Sequence, residues 1–337
     1  MSMFQFVLLY EYVNTATTVI VPLGIALHYW RRAEARGIAG PQLLRARFAS
    51  VLLCAAILLS APGGLLPHRG NGRWDDFLTA LVVATLCIAL LLPRRRRPSA
   101  PGEPETVVHL DLQPRSIRSF TRPWWLAAWG ACAALLTAAV VSAGLLSSPD
   151  GEGRYTLLVV PIGTNGYSGG SSFVGWYFGV PILWAALALC ALTWLALAAV
   201  ARPRLGQRGL SVQADAAARR SRMRTILAFS SGALLVTLAM VLSSLGGAAQ
   251  LMVSFPAGDA GLVSVGTPIA ALGVPLTVAS FVVRGLGIAL VLLPLFSRRA
   301  PTAHARPVGA PRSGTGAENG SRAGVHAPGS APTRQSA

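Results

Sequence analysis

Long apolar runs with almost no charge alternate with short arginine-rich segments along this chain. A run of about 18 or more such residues is long enough to cross the hydrocarbon core of a bilayer, ~30 Å thick, as a helix. In lipid the backbone must satisfy its own hydrogen bonds, which favours helices. The pattern therefore predicts an all-α, polytopic transmembrane helical bundle of about seven spans. These are residues 6–30, 48–66, 77–92, 126–146, 173–200, 225–245 and 268–296.

The arginines indicate how these spans are oriented. All 29 basic residues are arginine, and 25 of them fall in segments 29–47, 94–122, 202–224 and 297–337. Because cytoplasmic loops carry an excess of basic residues, this distribution predicts an outer N-terminus and a cytoplasmic C-terminus. It favours a multi-pass protein of a bacterial cytoplasmic membrane, with six spans as the alternative if the first is interfacial. The net charge of +17 then follows from topology, so the expected partner is the lipid bilayer and not nucleic acid.

The chain divides at the second arginine-rich segment. Residues 1–93 form a first membrane part with three spans, and residues 94–122 form a cytoplasmic linker. Residues 123–299 form a second part with four spans and with outer loops at 147–172 and 246–267. Residues 300–337 hold almost no large apolar side chain, which predicts a disordered cytoplasmic tail.

The first of these outer loops is polar and rich in glycine, but its ends differ from its middle. Residues 155–161 have the composition of a strand, and residues 171–181 are rich in aromatic side chains. An aromatic belt at the membrane surface is the favoured interpretation. The alternative is a folded cap or a partner-docking loop, for which Tyr167, Trp176 and Tyr177 are the candidate contacts.

Polar side chains inside spans mark a second candidate site. Glu11 and Arg284 are the clear charges within spans, and Asn14 lies one turn from Glu11. A charge in lipid is costly and usually faces a bundle interior or an aqueous cavity. We expect Glu11 and Arg284 to approach each other in the outer half of the bundle. We also expect the seventh span to be interrupted near Arg284, where glycines and Pro275 are concentrated; the alternative is that each charge separately meets water or headgroups.

One short motif suggests enzymatic chemistry. Residues 166–170, Gly-Tyr-Ser-Gly-Gly, resemble the serine motif of intramembrane rhomboid proteases and the nucleophile elbow of α/β-hydrolases. Either chemistry needs a histidine base, and His68 is the histidine predicted on the same side. A flexible outer loop without an active site is favoured, and no enzyme is predicted. Lysine is absent, which excludes a Walker A lysine and a Schiff base, and no metal or cofactor motif is present.

Two classes of function remain open. The first is a transport-related permease or a membrane subunit of a transporter, which would need a separate ATPase or another membrane subunit as its partner. Its support is the broken seventh span with Arg284, together with the polar first span. The alternative is a non-enzymatic membrane sensor, scaffold or assembly partner that acts through its outer loop. Its support is the scarcity of polar groups within the spans; an intramembrane protease ranks third.

Overall fold

A computed structural model describes residues 40–60, 74–92, 117–162, 167–202, 212–256 and 262–295, together with Pro22 and Gly24. In chain order the elements are α1 (Gly40–Ser60), α2 (Trp74–Leu91), α3 (Ile117–Phe120), α4 (Pro123–Leu145), β1 (Ser148–Pro149), β2 (Tyr155–Ile162), β3 (Tyr167–Ser172), α5 (Trp176–Ala201), α6 (Val212–Ala249), β4 (Met252–Pro256), β5 (Leu262–Gly266) and α7 (Ala270–Leu292). The predicted disordered tail and nearly all of the predicted first span, with Glu11 and Asn14, lie outside the described residues.

The described part of the chain is mostly helical, as predicted, and four of its helices are long and apolar enough to cross a membrane. They are α4, α5, residues Ala216–Ala249 of α6, and α7. These four coincide with the fourth to seventh predicted spans. In α2 the apolar stretch Phe77–Leu91 is shorter, and the second predicted span overlaps α1.

Two helices extend beyond the boundaries predicted from the sequence. Helix α1 begins at Gly40, inside the segment predicted as a cytoplasmic loop, and its Pro41 stands in the first turn, where a missing N–H costs no hydrogen bond. Helix α6 runs without a break from the predicted surface helix at Val212 into the sixth span, and continues past Gly246 to Ala249. Apolar patterning indicates where a helix enters lipid, which is not where the helix itself begins or ends.

The predicted interruption of the seventh span is wrong. Helix α7 is continuous from Ala270 to Leu292 and passes through Arg284. Pro275 lies near its start, where a missing N–H affects only one early carbonyl of the hydrogen-bond ladder. Gly273 and Gly287 of α7 serve the contact with α6 rather than a break in the helix.

Helix α6 is the central helix of the bundle. Among the 18 most apolar consecutive residues of α6, 83% are buried inside the protein. The corresponding share for α4 is 17%. It packs against α2, α4 and α5, and most extensively against α7. Met223, Leu227 and Phe229 of α6 are fully buried. By contrast α5 exposes large apolar side chains such as Trp184, as expected of a helix that faces lipid.

Small residues at every seventh position hold α6 and α7 together. This glycine seam consists of Gly232, Ala239 and Gly246 on α6, and Gly273, Ser280 and Gly287 on α7. The helices run antiparallel, because Gly232 faces Gly287 and Gly246 faces Gly273. A Cβ on Gly287 would lie 2.8 Å from the carbonyl oxygen of Gly232. A Cβ on Gly246 would lie 3.0 Å from the carbonyl oxygen of Gly273. Small residues permit this close backbone approach, which replaces the hydrophobic driving force that is missing in lipid.

A second row of α6 side chains accepts hydrogen bonds from the preceding helices and loops. Thr121 Oγ1 donates to Met223 Sδ at 3.0 Å, and Trp129 Nε1 donates to Ser230 Oγ at 2.9 Å. Ser244, two heptads beyond Ser230, accepts a bond from the segment before α5. The residue numbers of the two partners rise together, from Thr121 with Met223 to Trp129 with Ser230, so α4 and α6 are parallel. The strands that follow α4 and α6 therefore lie at the same end of the bundle.

Both segments predicted as outer loops contain β-sheet, which the sequence analysis did not predict. Within residues 147–172, β1, β2 and β3 form an antiparallel sheet in the order β1-β2-β3, here called the cap sheet. Residues 155–161, whose composition is that of a strand, lie in β2. Within residues 246–267, β4 and β5 form a two-stranded antiparallel hairpin.

Candidate functional site

The turn between β1 and β2 is built around one carboxylate. Asp150 Oδ1 accepts hydrogen bonds from the backbone nitrogens of Glu152 and Arg154, both at 2.9 Å. Asp150 Oδ2 accepts one from Arg154 Nε at 2.9 Å and one from Thr156 Oγ1 at 3.1 Å. Gly153 completes the turn with a φ of +77°, which favours glycine. An aspartate that bonds to the backbone ahead of it is a common way to fix a turn.

These bonds change the acidity of Asp150. Desolvation alone would raise the pKa of Asp150, but the hydrogen bonds from Arg154, Glu152 and Thr156 together lower it to about 2. The hydrogen bond to Asp150 in turn raises the pKa of Arg154. The turn therefore holds a carboxylate and a guanidinium that are both charged at neutral pH.

Arg154 connects this turn to an aromatic cluster at the helix ends. The cluster consists of Trp74 and Phe77 of α2 with Tyr177 and Phe178 of α5. Arg154 Cζ lies 5.6 Å from the centre of the Tyr177 ring, a cation–π distance. The Tyr177 ring lies 4.7 Å from that of Trp74, and the Phe178 ring lies 5.7 Å from that of Phe77. The cap sheet, α2 and α5 thus meet at one place.

Close backbone contacts seat the cap sheet on the helices. The backbone nitrogen of Val174 donates to Ser244 Oγ at 3.1 Å, which ties the end of the cap to α6. A side chain on Gly175 would collide with the carbonyl oxygen of Tyr155. A side chain on Gly144 would collide with the indole of Trp176. These positions therefore require glycine, and the cap is a packed part of the bundle.

The two faces of the cap sheet differ. Thr156, Leu158 and Val160 of β2 are buried against the protein. The alternate residues form an outward strip, defined here as Tyr155, Leu157 and Val159, and the exposed fractions of Tyr155 and Val159 are 48% and 36%. Small residues of β3 flank this strip, because Leu157 pairs with Ser172 and Val159 pairs with Gly170. A sheet whose outer face meets only water usually carries polar side chains there, so the apolar strip is unusual.

The three predicted outer-loop contacts occupy different places. Tyr177 belongs to the aromatic cluster, and Trp176 begins α5 and packs on Gly144. Tyr167 pairs with Ile162, at the end of β3 that is farther from α5. The sequence reasoning missed Asp150 and Arg154, although an aspartate followed by glycines and an arginine four residues later is a readable turn signal.

Ser168 does not have the surroundings of the serine motifs that it resembles. It lies in β3, is paired with Pro161, and is exposed. A nucleophile elbow requires a sharp turn from strand to helix, and a strand residue lacks this geometry. All five histidines, including His68, lie outside the described residues.

Of the three residues of the intramembrane candidate site, only Arg284 lies in the described part of the chain. Its side chain is 6% exposed on α7, which fits the rule that a charge within a span faces the protein. Glu11 and Asn14 are outside the described residues, so their approach to Arg284 stays a prediction. Within the described ranges no group of three or more histidine, cysteine, aspartate or glutamate side chains is placed to hold a metal ion.

Two candidate sites thus stand out in the described chain: the cap with its outward strip and aromatic cluster, and the buried arginine of α7. Comparison with known proteins finds no family, no curated protein and no solved structure that matches this chain.

Proposed function

We propose that this chain is a non-enzymatic membrane scaffold or assembly partner that binds another protein through the outward strip of its cap. The observation that carries the proposal is the apolar outer face of β2, with the exposed side chains of Tyr155 and Val159. Apolar side chains grouped on an otherwise solvated surface are typical of protein contacts. Beside this strip, β3 carries the small residues Ser168, Gly170 and Ser172, which leave room for a partner to approach.

The rigidity of the cap supports the same proposal. A partner binds with less entropic cost to a surface that is already ordered. Asp150 holds the first turn of the cap, Arg154 attaches it to Tyr177, and Val174 attaches it to Ser244. The outward strip is thereby presented on a fixed frame at the ends of the apolar helices.

Two adjacent positions of β2 allow a matched test. A photo-crosslinking amino acid in place of Val159, which points outward, should yield one discrete protein adduct in native membranes. The same amino acid in place of Val160, which is 4% exposed, should not. Tyr155→Ser should reduce the adduct formed from position 159. Equal adducts at both positions, or crosslinks to lipid alone, would rule out a protein partner on this strip.

We further propose the complete topology of seven spans in a bacterial cytoplasmic membrane, with the cap outside. Four apolar helices and the arginine distribution support it. Reporter fusions after Gly153 should read external, and fusions after Arg208 should read cytoplasmic. A cytoplasmic result at Gly153 would invert the orientation of every later helix.

A transport-related permease or transporter subunit is the second candidate. Its specific support is Arg284, a buried charge inside a helix of membrane length. Such residues often mark substrate or ion pathways. The continuous helix α7 removes the argument from a broken span, which is why this candidate ranks second. Stoichiometric co-purification of an ATPase, lost in Arg284→Gln but retained in Val159→Ser, would reverse the order.

A further inference from the structure

At the end of the bundle opposite the cap, three chain segments meet around Arg219. Its Nη1 donates to the carbonyl oxygens of Val200, at 3.2 Å, and Arg202, at 2.9 Å, where α5 ends. Its Cζ lies 6.0 Å from the centre of the Phe120 ring. A cation at the C-terminal carbonyls of a helix is stabilised by the helix dipole. Arg219 is only 5% exposed, so it is a structural element of this junction rather than part of its surface.

Three further arginines flank the junction with exposed side chains, and together they are called the arginine cluster here. Arg122 is the N-cap of α4, Arg202 is the C-cap of α5, and Arg220 lies on α6. Arg220 is one helical turn before Met223, whose Sδ accepts a hydrogen bond from Thr121 Oγ1 at 3.0 Å. Because Thr121 directly precedes Arg122, this contact joins the residue before Arg122 to the helical turn that follows Arg220.

The acidic residues of the described chain leave the arginine cluster positive. Asp150 and Glu152 belong to the cap, at the other end of α4. Asp75 and Asp76 stand in the first turn of α2 beside Trp74, whose ring contacts that of Tyr177 at the cap end. Asp215, in the first turn of α6, is the acidic residue nearest to the cluster along the described sequence. One aspartate against three exposed arginines still leaves a net positive surface, which suits an anionic ligand.

Beside the arginine cluster lies a surface suited to lipid. Trp124 is 53% exposed and its ring lies 4.5 Å from that of Trp125. Tryptophan is enriched where a span meets the headgroups. Helix α4 then continues over 23 residues with most of its apolar surface outside the protein core.

We propose that the arginine cluster binds the phosphate headgroup of an anionic phospholipid, whose acyl chains lie along the exposed side of α4. Guanidinium groups form paired hydrogen bonds with phosphate oxygens, and an anion near the start of a helix is favoured by its dipole. The occupant is a membrane lipid rather than a soluble phosphate, because the adjoining surface is apolar and as long as a membrane span.

Native mass spectrometry of the full-length protein in mild detergent tests this site. Phosphatidylglycerol and phosphatidylcholine are titrated separately, and the wild type should bind phosphatidylglycerol more tightly. The triple variant Arg122→Gln, Arg202→Gln, Arg220→Gln should raise the Kd for phosphatidylglycerol about tenfold or more, given three lost charges at the headgroup level. Its affinity for phosphatidylcholine should stay unchanged.

A tail variant supplies the charge-matched control. Arg306→Gln, Arg312→Gln, Arg322→Gln removes the same net charge and should leave the Kd within about twofold of the wild type. Three results would overturn the proposal: equal losses in both variants, equal wild-type affinity for the two lipids, or full competition by millimolar inorganic phosphate. If the triple cluster variant aggregates, Arg220→Gln should weaken binding while Arg220→Lys retains it, and equal Kd values for these two would also refute the site.

Discussion

Two adjacent glycines of α6 permit a direct test of the glycine seam. A Cβ on Gly246 would lie 2.6 Å from Thr277 Oγ1, and 3.0 Å from both Gly273 O and Thr277 N. A Cβ on Gly247 would meet no atom within 4 Å. Replacing glycine by alanine in a helix gains ~0.5–1 kcal/mol at either position. Overpacking, which costs ~1–3 kcal/mol, applies only to position 246.

The difference between Gly246→Ala and Gly247→Ala is therefore the overpacking energy alone, ~1–3 kcal/mol. Unfolding in mixed micelles of mild detergent and SDS measures the free energy of unfolding of each variant. Gly246→Ala should be destabilised, and Gly247→Ala should be unchanged or slightly stabilised. Adding Thr277→Ala to Gly246→Ala should recover only part of the loss, because the backbone contacts of Gly273 and Thr277 remain. Equal stability of the two single variants would refute the close approach of α6 and α7.

Three further predictions concern the candidate sites. The lowered pKa of Asp150, about 2, lies below the unfolded value of ~3.9, so the cap should resist proteolysis equally from pH 7 to pH 4. Protection should fall between pH 4 and pH 2, and Asp150→Asn should reduce it already at pH 7 and abolish the acid transition. Ser168→Ala should change no activity, and a fluorophosphonate should not label the protein; labelling that requires Ser168 and native folding would contradict this. Glu11→Gln and Arg284→Gln should each lower folded yield in mild detergent, and the double variant should recover part of it; simply additive losses would show that the two residues are not partners.

The spans in the second half of the chain could be predicted because lipid imposes a constraint that can be read from the sequence. A helix needs about 20 predominantly apolar residues to cross the bilayer, whatever it packs against. The regions of α4, α5, α6 and α7 follow from this length and apolarity. The strand β2 also followed from local composition, since Tyr155, Thr156 and the branched residues after them favour extended backbone.

Other features depend on which segments meet in three dimensions. The heptad spacing of Gly232, Ala239 and Gly246 is visible in the sequence, but only the antiparallel pairing with α7 explains it as a seam. The same pairing explains Gly273 and Gly287 of α7, where the sequence predicted an interrupted span. The same holds for Arg154, whose role depends on Tyr177 lying beneath it. A single apolar helix has no unique buried face in lipid, because its side chains are equally compatible with lipid tails and with protein. Close backbone approach and polar pairing select the face, and both arise only when the partner helix is in place.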